Sequence, residues 1–180
     1  MRNQLKKTIP SLITIGNLTS GLASILLACK GYLSLAIILV LIGAIFDSLD
    51  GMFARKLNVV STFGKELDSL ADIVTFGVAP TLITYSTIFQ EAPLLGIPST
   101  MLFPICGALR LARFNIQSEQ EYFTGLPITA AGVILVILNF LSDVISKKMF
   151  IFITLFLSYL MISKLKVISL KGKKILKKVS

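Results

Sequence analysis

The chain has 180 residues, of which 54% are apolar and only 15% charged, with a net charge of +9 and no His or Trp. A soluble domain carries about 25% charged residues, so long uncharged runs in this composition exclude an ordinary soluble globule and indicate a polytopic helical membrane protein. The basic residues flank apolar runs instead of forming one patch, which argues against nucleic acid as a partner. The lack of His excludes His nucleophiles, His general bases and His metal ligands.

A helix that crosses a bilayer needs about 20 mostly apolar residues. Between charged residues the chain offers six such runs, at 8–29, 31–46, 73–90, 92–109, 122–142 and 149–163. The second is short but can continue as a helix through the Asp47 region, and the last can snorkel Lys148 and Lys164 to the interfaces. None shows the alternation of a barrel strand. The expectation is an all-α, polytopic integral membrane protein with six transmembrane helices in a single domain spanning 1–180. Cys29 and Cys106 lie far apart without a CxxC spacing, in apolar segments where a free thiol packs as a small hydrophobe.

Placing both termini in the cytoplasm leaves only Lys30, Lys147 and Lys148 of the 18 basic residues on the outer side. That bias satisfies the positive-inside rule and predicts a cytoplasmic-membrane protein with both ends inside. The basic tail, about 164–180, alternates Lys with apolar residues and is expected to lie on anionic headgroups or to serve topology alone.

Five of the nine acidic residues crowd into one stretch, as Asp47, Asp50, Glu66, Asp68 and Asp72. Asp47 and Asp50 are spaced i, i+3, and Asp68 and Asp72 are spaced i, i+4. On helices each spacing puts both carboxylates on one face. The first pair closes the second span and the second pair opens the third, joined by a loop with Asn58, Ser61, Thr62 and Gly64, so the pairs can meet at the inner membrane boundary. Four carboxylates packed there repel one another, and either protons or cations must offset the repulsion. Oxygen ligands without Cys or His suit Mg²⁺ or Mn²⁺, and four Asp suffice for two such ions, an arrangement that clamps phosphoryl oxygens. Gly51 leaves room for a ligand beside the backbone, and Arg55 can reach a phosphate with paired donors. Lys56 and Lys65 either neutralise the site or act as inside charges. A cation transporter also uses carboxylates at membrane depth, although here all four Asp cluster at one end of their spans.

The pattern Asp47-x2-Asp50-Gly51-x2-Ala54-Arg55-x8-Gly64-x3-Asp68-x3-Asp72 resembles the signature of the CDP-alcohol phosphotransferases at every fixed position. Three further stretches, IPSLITIGNLTSG, DIVTFGVAPTLITY and CGALRLARFN followed by YFTGLPITAAG, are similar to the serine-using branch of that family. Ser11 and Thr75 are small departures, where relatives often have Asn and Ser. The resemblance implies a six-helix fold, usually a homodimer, whose metal site opens to the cytoplasm and takes two divalent cations, Mg²⁺ or Mn²⁺. It implies that Asp47, Asp50 and Asp68 hold one cation, that Asp47, Asp68 and Asp72 lie around the second, and that Asp72 accepts a proton. Gly51, Arg55 and Ser61 match positions that contact a CDP-lipid, and Asn17 and Thr14 are expected to line the same pocket. The implied substrates are CDP-diacylglycerol, or CDP-archaeol in an archaeal source, and L-serine, among membrane lipids. Glycerol phosphate or inositol phosphate is the alternative acceptor. Arg110, Arg113 and Asn115 are the candidates for binding serine, with Tyr122, Phe123 and Gly125 as neighbours. Glu66 is either a partner for the serine ammonium or a surface charge.

Overall fold

The computed structural model describes residues 2–56, 61–116, 123–142, 144–163 and 166–167. The basic tail beyond 167, Asn58 and Tyr122 lie outside the described residues. Seven α-helices account for nearly all of the rest: α1 (Arg2–Cys29), α2 (Leu33–Lys56), α3 (Thr62–Asp72), α4 (Ala79–Thr87), α5 (Pro93–Ile116), α6 (Ile128–Asn139) and α7 (Lys147–Ile162). A π-helical turn (Ile73–Val78) joins α3 to α4 without a break, and a 3₁₀ turn (Phe89–Glu91) leads into α5. The sole strand pairing among the described residues is a two-residue antiparallel contact, Phe123 with Val167 and Thr124 with Lys166.

Among the described residues, four helices are long and apolar enough to cross a membrane: Pro10–Cys29, Leu33–Lys56, Thr62–Thr87 and Pro93–Ile116. Their outward faces carry Leu12, Leu22, Leu26, Ile38, Ile45, Met101 and Ile105, exposed side chains that hydrocarbon would cover. The helix boundaries differ from the apolar runs at one end. α2 continues to Lys56, ten residues past Phe46, and the third span begins at Thr62 instead of Ile73. Helix geometry is set by backbone hydrogen bonds, which persist where hydropathy falls, so both helices carry their Asp pairs beyond the apolar stretch. Ser61 starts α3 as an N-cap, its side chain accepting from the Gly64 N–H at 3.0 Å.

α1 and α2 form a hairpin that turns at Gly31, whose φ of +82° is a left-handed conformation glycine adopts at little cost. The third span lies in the centre, against α1, α2, α5 and α6. Phe76 from its π turn is fully buried in one core with Ile83, Phe103, Ile128, Leu135 and Val136. Glycines let backbones approach there. A methyl at Gly132 of α6 would collide with the Phe76 carbonyl, and one at Gly77 would meet Pro104 at 3.3 Å. Small residues at helix crossings are the usual way membrane helices gain packing, since lipid is as apolar as the helix faces. At the opposite end from the Asp residues, Asn139 ties α6 to α4. It donates to the Thr84 hydroxyl at 2.9 Å and accepts from Thr87 at 2.6 Å.

Gly132→Ala therefore forces α6 away from the π turn, and overpacking of this kind costs about 1–3 kcal/mol. The check is the midpoint of thermal aggregation in detergent, expected to fall clearly below that of the parent. An unchanged midpoint would mean that α6 does not pack on Phe76.

Candidate active site

The last three turns of α2 carry Asp47, Asp50, Gly51, Ala54 and Arg55, and α3 carries Asp68 and Asp72 one turn apart. Packing α1 beside both pairs brings the four carboxylates to one end of the bundle. Carboxylate oxygens of Asp47, Asp50 and Asp68 all lie within 4.8 Å of one another. The Asp50 and Asp68 carboxyls are within hydrogen-bonding reach of each other, and Asp72 feels the charge of the other three. Two ionised carboxylates resist such an approach unless a proton or a cation lies between them.

α1 supplies the polar contacts that hold these groups. Thr14, one turn before Asn17, places its hydroxyl 2.9 Å from Asp50 Oδ2 and 3.0 Å from the Pro10 carbonyl, so its single proton is shared. Asn17 donates from Nδ2 to Asp72 Oδ1 at 3.4 Å, a long contact. Thr129 on the first turn of α6 approaches Asp47, and the Asp50 carboxylate meets the Gly51 N–H and the Arg55 charge. One oxygen of Asp68, Oδ1, is buried with no hydrogen-bond partner among the described residues. A buried carboxylate oxygen with no donor is costly, and a bound cation could supply what it lacks.

Next to the carboxylates is a cavity of about 440 Å³. Pro10, Ser11 and Thr14 of α1 line it, with Asp50, Gly51, Ala54 and Arg55 of α2, then Ser61, Gly64, Lys65 and Asp68, and Phe114 of α5. The geometry thus gathers Thr14, Asp50, Gly51, Arg55, Ser61 and Asp68 around one space. Asn17, expected in that lining, instead turns its amide to Asp72.

The α5 residues divide. Arg110 is partly buried, its charge interacts with Asp72, and its Nε is buried without a partner among the described residues. Arg113 points elsewhere, donating to the Ile162 carbonyl at the end of α7 at 3.2 Å. Asn115 binds α3, donating to Ser69 Oγ at 3.0 Å and to Glu66 Oε2 at 3.2 Å. Lys65 returns the contact, reaching the Phe114 and Asn115 carbonyls at 3.4 and 3.3 Å and lying 5.0 Å from the Phe114 ring centre. Gly125, at φ +80°, packs on the Met161 carbonyl. Thr129, Ser69 and Phe114 escaped the sequence reading. Thr129 lies in YFTGLPITAAG, yet nothing in its spacing shows that α6 would start beside Asp47.

The residues fit a hard divalent cation. The donors are all carboxylate oxygens, one of them lacks a partner, and the adjacent cavity offers Arg55 and Lys65 for an anion. The description CDP-alcohol phosphatidyltransferase matches residues 7–163, 157 of the 180 residues. The chain belongs to the CDP-alcohol phosphatidyltransferase family. Among its relatives is the CDP-diacylglycerol–serine O-phosphatidyltransferase of Bacillus subtilis, 46% identical over 159 residues, covering 88% of each chain. The enzyme of the same name from Helicobacter pylori strain J99 is 40% identical, over 87% of this chain and 70% of the relative. Archaetidylserine synthase of Methanothermobacter thermautotrophicus is 41% identical over 162 residues, 87% of this chain and 68% of the relative. CDP-alcohol phosphatidyltransferases use divalent metals, and among the described residues Asp47, Asp50 and Asp68 form a cluster that could hold one.

Asp50→Asn and Asp68→Asn are each expected to weaken Mn²⁺ binding by more than about tenfold, whereas Glu66→Gln changes it less than about twofold. The electron paramagnetic resonance signal of free Mn²⁺ in detergent reads this directly. An equal loss in Glu66→Gln would dissolve the distinction between the cluster and its surroundings.

Proposed function

We propose that the protein transfers the phosphatidyl group of CDP-diacylglycerol, or the equivalent group of CDP-archaeol, to the hydroxyl of L-serine, releasing CMP. The observation that carries this reading is the gathering of Asp47, Asp50 and Asp68 beside a cavity walled by Gly51, Arg55 and Ser61. Serine as acceptor draws on the relatives, bacterial and archaeal, whose names specify serine.

In this mechanism Asp47, Asp50, Asp68 and Asp72 would hold two divalent cations, Mg²⁺ or Mn²⁺, which when bound neutralise charge on the pyrophosphate. Arg55 donates to the phosphate on the CMP side, and the bare Gly51 backbone lets that phosphate come close. Thr14 fixes the Asp50 carboxylate from α1. The serine oxygen attacks the phosphorus that carries the lipid, the bond from that phosphorus to the CMP oxygen breaks, and Asp72 takes the hydroxyl proton. Positioned charge supplies most of the acceleration, and a general base contributes about 10²–10⁴-fold. Without His, no phosphohistidine intermediate forms and transfer is direct.

Arg110 is the group assigned to the serine carboxylate, because its guanidinium stands near Asp72 with Nε unpaired among the described residues. Arg113 and Asn115 join it as serine-site candidates, although their side chains also fasten α7 and α3 around it. α6 and α7 span about 18 Å and about 24 Å at 1.5 Å per residue. Both complete a six-span bundle in this reading, a single transmembrane domain with the ends and active site cytoplasmic, working as a homodimer.

CMP release in detergent, with CDP-diacylglycerol, Mn²⁺ or Mg²⁺ and a panel of alcohols, tests the assignment. Serine should be the preferred acceptor, and Arg110→Ala should raise the serine KM by more than about tenfold while leaving the CDP-lipid KM near that of the parent. Preference for glycerol phosphate or inositol phosphate would move the protein to another branch. An unchanged serine KM would remove Arg110 from the site.

A further inference from the structure

Thr75 lies in the π turn, three residues past Asp72, and is fully buried. Its hydroxyl donates to the Asn17 carbonyl at 3.1 Å. The side chain of the same Asn17 reaches back to Asp72 Oδ1. One residue of α1 therefore grips the third span at two points a turn apart, and one of those points is the carboxylate assigned as proton acceptor. The orientation of the Asn17 amide follows from charge. Its N–H side must face the Asp72 oxygen, because two acceptors there would repel. That leaves Asn17 Oδ1 facing α2, buried and with no hydrogen-bond partner among the described residues.

Gly43 of α2 makes room for this arrangement. A methyl at Gly43 would lie 2.6 Å from Thr75 Cγ2 and 3.0 Å from Asn17 Oδ1. On α1, Gly21 does the same, since a methyl there would sit 2.8 Å from Thr75 Cα and collide with its hydroxyl. Thr75 thus fills a slot between two glycines, with its methyl toward α2 and its hydroxyl bonded to α1. Neither Asn17 nor Thr75 lines the cavity, and the hydrogen bond that links them to the carboxylates is the one from Asn17 to Asp72.

We propose that Thr75 and Asn17 are positioning residues for Asp72, and that Gly43 with Thr75 forms a coupled pair setting where the Asp72 carboxylate stands. The proposal rests on the assignment of Asp72 as proton acceptor. It divides Thr75 into two separable parts. Thr75→Ser keeps the hydroxyl and removes only the methyl that faces Gly43. Thr75→Val keeps the shape and removes the hydroxyl that binds Asn17. Gly43→Ala drives Thr75 and the Asn17 amide out of place, and Thr75→Ser in the same chain restores space.

Four variants of the full chain in detergent provide the test: Thr75→Ser, Thr75→Val, Gly43→Ala and the Gly43→Ala/Thr75→Ser double. Each is assayed for kcat and for both KM values by CMP release, and for Mn²⁺ affinity without substrate. Loss of an outer partner of a carboxylate ligand costs about 10–100-fold in affinity or activity. Thr75→Val and Gly43→Ala should therefore lose about tenfold or more in kcat and weaken Mn²⁺ binding, with the CDP-lipid KM little changed. Thr75→Ser should keep most of kcat, and the double variant should recover most of what Gly43→Ala loses. A merely structural role would lower stability without this split. Parental kcat and Mn²⁺ affinity in Thr75→Val would overturn the proposal, as would a double variant no better than Gly43→Ala. If Gly43→Ala fails to fold, the contrast between Ser and Val at 75 decides alone. Should the parent release no CMP with serine, the functional assignment falls, while the Mn²⁺ measurements still decide the positioning.

Discussion

Four carboxylates held at one end of a membrane bundle repel one another, and the rest of the structure is arranged around that repulsion. At an effective dielectric near 20, two unit charges 4 Å apart interact by about 4 kcal/mol, a large fraction of the stability of any small domain. Asp47, Asp50 and Asp68 offer oxygens within 4.8 Å of one another, and both Asp50 and Asp72 are buried. Such a cluster holds together only if a proton or a hard cation takes up the charge. The side chains around it do part of this work, with Thr14 on Asp50, Asn17 on Asp72 and the Arg55 charge beside Asp50. Asp68 Oδ1, which lacks a partner among the described residues, marks what those side chains leave undone.

Holding charges that repel requires stiff helices in close contact. Contacts with α1, α2, α5 and α6 immobilise the third span, which bears Asp68 and Asp72, and its π turn sits where glycines from α1, α2 and α6 let backbones meet. A π turn adds a residue to the helical repeat, and such turns recur at functional sites. Here it allows Asp68 and Asp72 to face the site while Thr75 and Phe76 lock into the neighbouring helices. On the α5 side, Lys65 and Asn115 cross-connect α3 to the end of α5, and Arg113 fastens α7. Chemistry at the site and packing of the bundle are one problem in this fold.

Much of this was legible from residue order. The Asp47/Asp50 and Asp68/Asp72 spacings determine faces on any helix, so periodicity showed that each pair shares a face and that the two pairs can meet. The signature positions and the first four apolar runs were equally plain. The continuation of α2 through the Asp47 region was legible too, but not its end at Lys56, because hydropathy falls at Phe46 while the backbone ladder goes on. The π turn left no trace that pattern reading detects. The family resemblance sets Asn17 beside Thr14 in the lipid pocket, yet which neighbour a side chain meets depends on how α1 packs on the third span. Arg110 and Arg113 share a face as well, and their partners still differ, since α7 ends beside only one of them.

The central claim is that the Asp cluster exists to hold hard divalent cations. Crystals of the protein grown with Mn²⁺ and measured for anomalous scattering test it most directly. Strong peaks are expected at coordination distance from oxygens of Asp47, Asp50 and Asp68, about 2.1–2.3 Å, with a second ion reaching Asp72. Peaks elsewhere, with these four carboxylates bare at saturating Mn²⁺, would contradict it.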